Sequence, residues 1–196
     1  MDYENILYEK SNYIARITLN CPEKLNALAP ALSDEMDKAI VEASEDDEVK
    51  VIIFKGAGRA LSAGADLTKA GFVYGWKEPK PGEKSQKPSQ RVRLHFDKRT
   101  FYDQAKRLLL CNKLTITQAH GYCLGAAFQF FLHSDLIIAA EDCKFGHVEE
   151  RLGTAGLTIS PIMVLRCGLT KALELCITGK MIDGEEACKV NLINRA

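Results

Sequence analysis

An α/β fold is predicted by three features: a period-two run, a short and nearly continuous β-branched run, and a strand, Gly-rich loop, helix order that occurs twice. The period-two run is Ile14 to Leu19, where Ile14, Arg16 and Thr18 oppose Ala15, Ile17 and Leu19, a strand with one wet face. A turn follows at Asn20-Cys-Pro-Glu-Lys24. Leu32, Met36, Ile40 and Ala43 then recur at helical spacing, with Ser33 and Asp34 near the front, so an amphipathic helix is expected to about Ser44, ended by the acidic run Glu45 to Glu48. Val49 to Phe54 is the β-branched run, expected to be buried on both faces, and Gly56-Ala-Gly58 closes it.

The order returns further along: a helix around Phe101 to Leu110, a strand from Leu114 to Ala119, a glycine turn from Gly121 to Gly125, a helix from Ala126, and a strand from Leu136 to Ala140. Between the two parts, Trp76 to Gln90 carries Pro79, Pro81, Gly82 and Pro88 and no apolar periodicity, and reads as a mobile loop. Lys77, Lys80, Lys84, Lys87, Arg91 and Arg93 outnumber Glu78 and Glu83 there, so the loop is either a solvated excursion or a lid facing an anion.

Composition narrows the function. In 196 residues, 26 Lys and Arg balance 26 Asp and Glu, with 46% hydrophobic residues, which fits one soluble globular domain and argues against a general nucleic-acid binder. The seven cysteines form no Cys-x-x-Cys pair, and Cys111, Cys123, Cys167 and Cys176 lie in apolar surroundings; reduced thiols and a cytoplasmic setting are expected, with no metal site at His120 and Cys123. Met1-Asp-Tyr-Glu-Asn5 has no signal-peptide core, and Gln129, His133, Ser134 and Asp135 make Leu124 to Ala140 too polar to span a bilayer, so no membrane partner is expected.

Two loops carry the chemistry. Arg59-Ala-Leu-Ser-Ala-Gly-Ala-Asp-Leu67 and Gly121-Tyr-Cys-Leu-Gly-Ala-Ala127 each follow a strand and lead into a helix, and their small residues leave backbone N–H groups uncovered. Two bare donors from two loops suit an oxyanion hole, which needs N–H groups already aimed at a developing negative oxygen. Close packing of a Gly/Ala helix start is the plainer alternative for each loop alone.

Five ordered segments, Pro22-Glu-Lys-Leu-Asn-Ala-Leu28, Leu61-Ser-Ala-Gly-Ala-Asp-Leu67, His120-Gly-Tyr-Cys-Leu-Gly125, Ser134 to Gly146 and Thr178-Gly-Lys-Met-Ile-Asp183, closely resemble the enoyl-CoA hydratase/isomerase (crotonase) family along nearly the whole chain. The resemblance implies a crotonase-like spiral of repeated ββα units, with two roughly perpendicular sheets surrounded by helices, assembled as homotrimers or dimers of trimers. It implies an acyl-CoA thioester as substrate, with coenzyme A entering only as part of it. Residues 1–175 would form the core domain. Residues 176–196 would begin a C-terminal helical region whose remainder is absent.

By motif position, the backbone N–H groups of Ala65 and Ala126 would be the oxyanion hole. Ala63, Gly64, Asp66 and Leu67 in the first loop, and Tyr122, Leu124 and Gly125 in the second, would line the substrate. Where the family most often has three glycines this chain has Gly125-Ala-Ala127, which keeps the N–H but narrows the approach. Lys24, Asn26, Ala27 and Leu28 stand where relatives cradle the adenine part of coenzyme A; equally, that turn caps the following helix. Asp66 also reads as a local turn-former.

Family hydratases use two glutamates. The first position is Gln129 here, which cannot exchange a proton at neutral pH, and the second is Glu149. One carboxylate beside an oxyanion hole suffices for moving a proton between α- and γ-carbons, so isomerisation is favoured over hydration. Glu150 reads as structural, and His147 as a hydrogen-bonded spacer or an assisting proton donor. Leu157 stands where dehalogenating relatives carry an aspartate, which argues against that chemistry. The alternatives are an acyl-CoA hydrolase or decarboxylase, or a non-catalytic relative that binds CoA thioesters or RNA.

Overall fold

The computed structural model describes residues 3–68, 89–153 and 159–196. Five strands form the larger sheet: β1 (Ile6–Ser11), β2 (Ile14–Leu19), β3 (Val51–Gly56), β4 (Leu114–Ala119) and β6 (Leu136–Ala139), in the order β1-β2-β3-β4-β6. β1 and β2 are antiparallel and the other neighbours parallel. Two short parallel strands, β5 (Tyr122–Leu124) and β7 (Lys144–Gly146), make the second sheet.

Parallel neighbours need crossovers, and helices supply them. α1 (Pro30–Glu45) joins β2 to β3 and buries Leu32, Met36, Ala39, Ile40 and Ala43. Pro30 opens it after Ala29 with no side-chain cap, and Ser33 and Asp34 lie just inside it. β2 matches its expected bounds, with Ala15, Ile17 and Leu19 wholly buried. β3 begins at Val51, two residues later than expected, because Val49 is spent on a turn to the Asp46 carbonyl. Only Ile52 and Phe54 of that strand are fully buried, so the expected burial on both faces is partial.

α2 (Gln90–Asp97), a π-helical segment (Lys98–Asp103) and α3 (Gln104–Leu109) form one helical stretch before β4, so the helix expected around Phe101 starts at Gln90, where Ser89 Oγ accepts the Val92 N–H. Of the basic loop expected over 76–90, only Ser89 and Gln90 belong to the described residues; Leu157 lies outside them as well. α4 (Gly125–Phe131) is buried along its whole length, and Phe128, Phe130 and Phe131 join Phe54 and Phe145 in the core.

α5 (Ile159–Thr178) is broken at Gly168, and α6 (Gly184–Lys189) follows. Residue 175 lies inside α5. Beyond it the chain returns to both sheets: Ile182 pairs with Phe145, the Asn194 N–H reaches the Ile137 carbonyl, and Ile182, Ala187, Leu192 and Ile193 are buried with the core. Leu165 before the break and Leu169, Leu173 and Ile177 after it stay exposed on α5. No helix among the described residues is long and apolar enough to cross a membrane.

Candidate active site

Three crossing segments build the site. Residues 62–66 run between the turn at 25–28 and strand β5, hydrogen-bonded to each. On one side Ala63 N–H donates to Leu25 O, Leu28 N–H to Gly64 O at 2.7 Å, and Asp66 N–H to Leu28 O. On the other, Ser62 N–H donates to Tyr122 O and Leu124 N–H to Ser62 O. The expected glycine turn at 121–125 therefore contains a strand, β5, set by pairing that no local signal announces.

This register orients the Ala65 amide. No peptide among the described residues is cis, so the Ala65 N–H points opposite to the Gly64 carbonyl, away from Leu28. Gly64 (φ +99°) lets that backbone press against the start of α4. A Cβ at Gly64 would lie 2.7 Å from the Leu124 carbonyl oxygen and 3.5 Å from the Ala126 nitrogen. Ala126 lies in the first turn of α4, where backbone amides have no partner within the helix.

Asn26 fixes the turn behind this crossing. It is fully buried at φ 52°; its Oδ1 accepts the Cys21 N–H, and its Nδ2 donates to Ala57 O and Ala60 O at 2.9 and 2.8 Å. Its side chain thus clamps two loops together and does not cap α1. Ser62 adds a strut, Oγ donating to Asn26 O and accepting the Gly64 N–H. Lys24 and Leu67 are exposed, Ala27, Leu28, Ala63 and Leu124 are partly buried, and Tyr122 is exposed on β5. Asp66 Oδ1 accepts both the N–H and the hydroxyl of Thr68, so it forms the local turn anticipated as its plainer role.

Glu149 opens a 3₁₀ turn (Glu149–Leu152) just after β7, with its side chain 15% exposed. The pairing of β7 with β5 brings it to the second loop: Gly125 (φ +52°) faces it, and a Cβ there would lie 3.3 Å from Oε1. Gln129, one turn into α4, donates from Nε2 to that same Oε1 at 2.5 Å. Below it, the His133 Nδ1 bonds the Gln129 carbonyl at 2.8 Å, and Arg166 donates to the carbonyls of Leu132 and Ser134 where α4 ends. Burial pushes the His133 imidazole below its ordinary range, which suits a neutral ring donating through Nδ1–H.

The residues with expected roles in catalysis, Ala65, Ala126, Gln129 and Glu149, are thus neighbours, linked through Gly64 and Gly125. Behind them lies a grouping that local sequence does not disclose. His147 is buried, with Nδ1 in close contact with Glu150 Oε1 and Nε2 facing Glu149 Oε2 at 3.7 Å. Glu150 and Glu149 thus lie against the same ring. Ligand atoms of His147, Glu149 and Glu150 fall within 4.8 Å of one another. The two carboxylates make their closest contacts to opposite nitrogens of the ring.

A model of the enoyl-CoA hydratase/isomerase family matches residues 9–196. A probable enoyl-CoA hydratase of Mycobacterium bovis is 31% identical over 199 residues, covering 100% of this chain and 69% of its own length. A hydroxycinnamoyl-CoA hydratase-lyase of Pseudomonas fluorescens is 30% identical, covering 99% and 67% respectively. The crystal structure of an enoyl-CoA hydratase/isomerase from Xanthobacter autotrophicus superposes with a TM-score of 0.86 at 32% identity, over 99% of this chain and 67% of that one.

Proposed function

This chain belongs to the enoyl-CoA hydratase/isomerase family and has its crotonase fold, and from that premise we propose that it moves a proton on an acyl-CoA thioester by means of one glutamate. In this reading the thioester oxygen sits on the N–H groups of Ala65 and Ala126. Glu149 removes the proton from the α-carbon, the C–H electron pair becomes an enolate held by the two donors, and Glu149 returns the proton at the γ-carbon. The reaction is an isomerisation of the double bond. Coenzyme A is part of the substrate, its adenine end on the turn Lys24, Asn26, Ala27 and Leu28, chiefly through backbone groups since the Asn26 side chain is committed.

The observation that carries this reading is the Gln129 to Glu149 hydrogen bond. An amide can hold a carboxylate but cannot trade protons with water, so the position where hydration needs a second acid/base supplies only a tether. The exposed Leu165, Leu169, Leu173 and Ile177 support self-association; the trimers or dimers of trimers are what the family resemblance implies. The free cysteines fit the reducing cytoplasm.

Matched 3-enoyl-CoA and 2-enoyl-CoA esters test the reading. Isomerisation of the first is expected to outrun hydration of the second, and Glu149→Gln to lose about 10²–10⁴ in turnover, the range for a general acid/base. Hydration at ordinary enzyme rates, or more than half the activity left in Glu149→Gln, would overturn it.

A further inference from the structure

The proposed reaction makes no use of His147, yet this ring has the least comfortable surroundings in the described part of the molecule. Its side chain is 2% exposed, and neither ring nitrogen makes a well-aligned hydrogen bond. Glu149 Oε2 and Glu150 Oε2 are likewise buried without a hydrogen-bond partner. Four of the seven such atoms among the described residues therefore belong to this imidazole and its two carboxylate neighbours. Buried polar groups are normally paired, so this cluster calls for a specific explanation.

The chemistry of the facing groups fixes the roles. Carboxylate oxygens only accept, so the Nδ1 in contact with Glu150 Oε1 is placed as a donor, and the Nε2 that faces Glu149 Oε2 is placed as a donor too. Glu150 holds the ring at one end and thereby aims its other end at Glu149. The remaining 3.7 Å gap exceeds a hydrogen bond, but a slight turn of the Glu149 carboxylate closes it, and catalytic hydrogen bonds are often long until substrate is seated. Among the described residues Arg151 also lies close by; it flanks Gly179 beside the His147 carbonyl, on the backbone side of the residue. Gln129 on α4 is already engaged with the opposite oxygen, Oε1.

We infer that His147 is a positioning residue for Glu149, oriented by Glu150, which grips Oε2 while Gln129 grips Oε1. This inference rests on the reading of Glu149 as the proton carrier. Held at both oxygens, the carboxylate is confined to one orientation and presents its remaining Oε1 lone pair to the space before Gly125 and Ala126. Confinement of this kind acts on the chemical step and leaves substrate affinity alone, because misplacing a reacting group by about 1 Å can cost about 10²-fold in rate.

The test separates donor geometry from packing. A glutamine amide reaches the place of His147 Nε2, and the shorter asparagine amide reaches only that of Nδ1. His147→Asn is expected to lower kcat by about tenfold to a hundredfold at unchanged KM, and His147→Gln to recover most of that loss. Equal kcat in the two variants, or a loss confined to KM, would overturn the inference. A second measurement does not depend on turnover: in protein labelled with ¹⁵N-histidine, the His147 Nε2 resonance is expected to shift in Glu149→Gln and the Nδ1 resonance in Glu150→Gln, with His147→Gln giving the assignment. An Nε2 signal unmoved by Glu149→Gln overturns the inference whatever the kinetics. If that signal moves while Glu149→Gln keeps full turnover, the pairing stands and it is the choice of Glu149 as base that fails.

Discussion

Gln129 Nε2 donates to Glu149 Oε1 across 2.5 Å, joining a residue of a buried helix to one in a turn just past a two-stranded sheet. Two carboxylates at those positions would share a proton or repel, whereas an amide and a carboxylate are complementary in charge and in hydrogen bonding. The same contact holds the candidate base and withholds a second one.

Gln129→Glu restores an ionisable group at the same side-chain length. It is expected to raise hydration of crotonyl-CoA from near background, and to lower stability by about 1–3 kcal/mol through a buried like-charge pair. Steady-state hydration rates and urea melts of the two proteins check both.

Gly64→Ala meets two obstacles at once, a left-handed φ of +99° and a Leu124 carbonyl oxygen 2.7 Å from the new Cβ. Both obstacles are backbone, so nothing nearby yields cheaply. A loss of about 2–4 kcal/mol in denaturant unfolding is expected, with activity falling further than stability because the Ala65 amide is displaced from Ala126.

Asn26→Ala removes three hydrogen bonds and leaves the Cys21 N–H and the carbonyls of Ala57 and Ala60 without them. The cost is expected at about 2–4 kcal/mol, less than three independent bonds would give since the loops relax together. Asn26→Asp keeps the acceptor but sets a buried carboxylate oxygen against the two carbonyls, and is expected to be the least stable of the three. Thermal melts order the three proteins.

Burial pushes the Cys143 thiol up to about 12, with the Asp142 charge adding to it, and raises Cys123 well above its ordinary value by burial and the neighbouring Cys143. A thiol with a raised value stays protonated and unreactive. Iodoacetamide at pH 8 is expected to spare both in the folded protein and to label them after unfolding in urea, as peptide mapping would read. Because ionising either thiol costs more in the fold than out of it, these groups favour the folded state below their unfolded values, and that contribution fades as alkaline pH passes them.

Legibility from sequence followed how local the determining contact is. β2, α1 and β4 were readable because each buries a regular subset of its own residues. β1 was not, since Ile6 alone among its six residues is buried and no alternation survives. β5 hid in a glycine turn because three residues become a strand only when β7 and Ser62 flank them. The same holds at the site. Small residues at 62–66 and 125–127 advertise open backbone, and a lone acid in a recognisable motif points to Glu149. The Asn26 clamp and the His147 to Glu150 contact depend on where the chain returns, which side-chain types do not reveal.

The crossing of the segments at 25–28, 62–66 and 122–124 also sets when the site can exist. Leu28 meets Ala65, and Ser62 meets Cys123, across long stretches of intervening chain. Each closure costs chain entropy before it yields contacts, which slows the search for the native arrangement. The donors and the base have no partial form on a fragment or in an early collapsed chain: during refolding from urea, activity should return with the last slow phase, after the helical signal has already recovered.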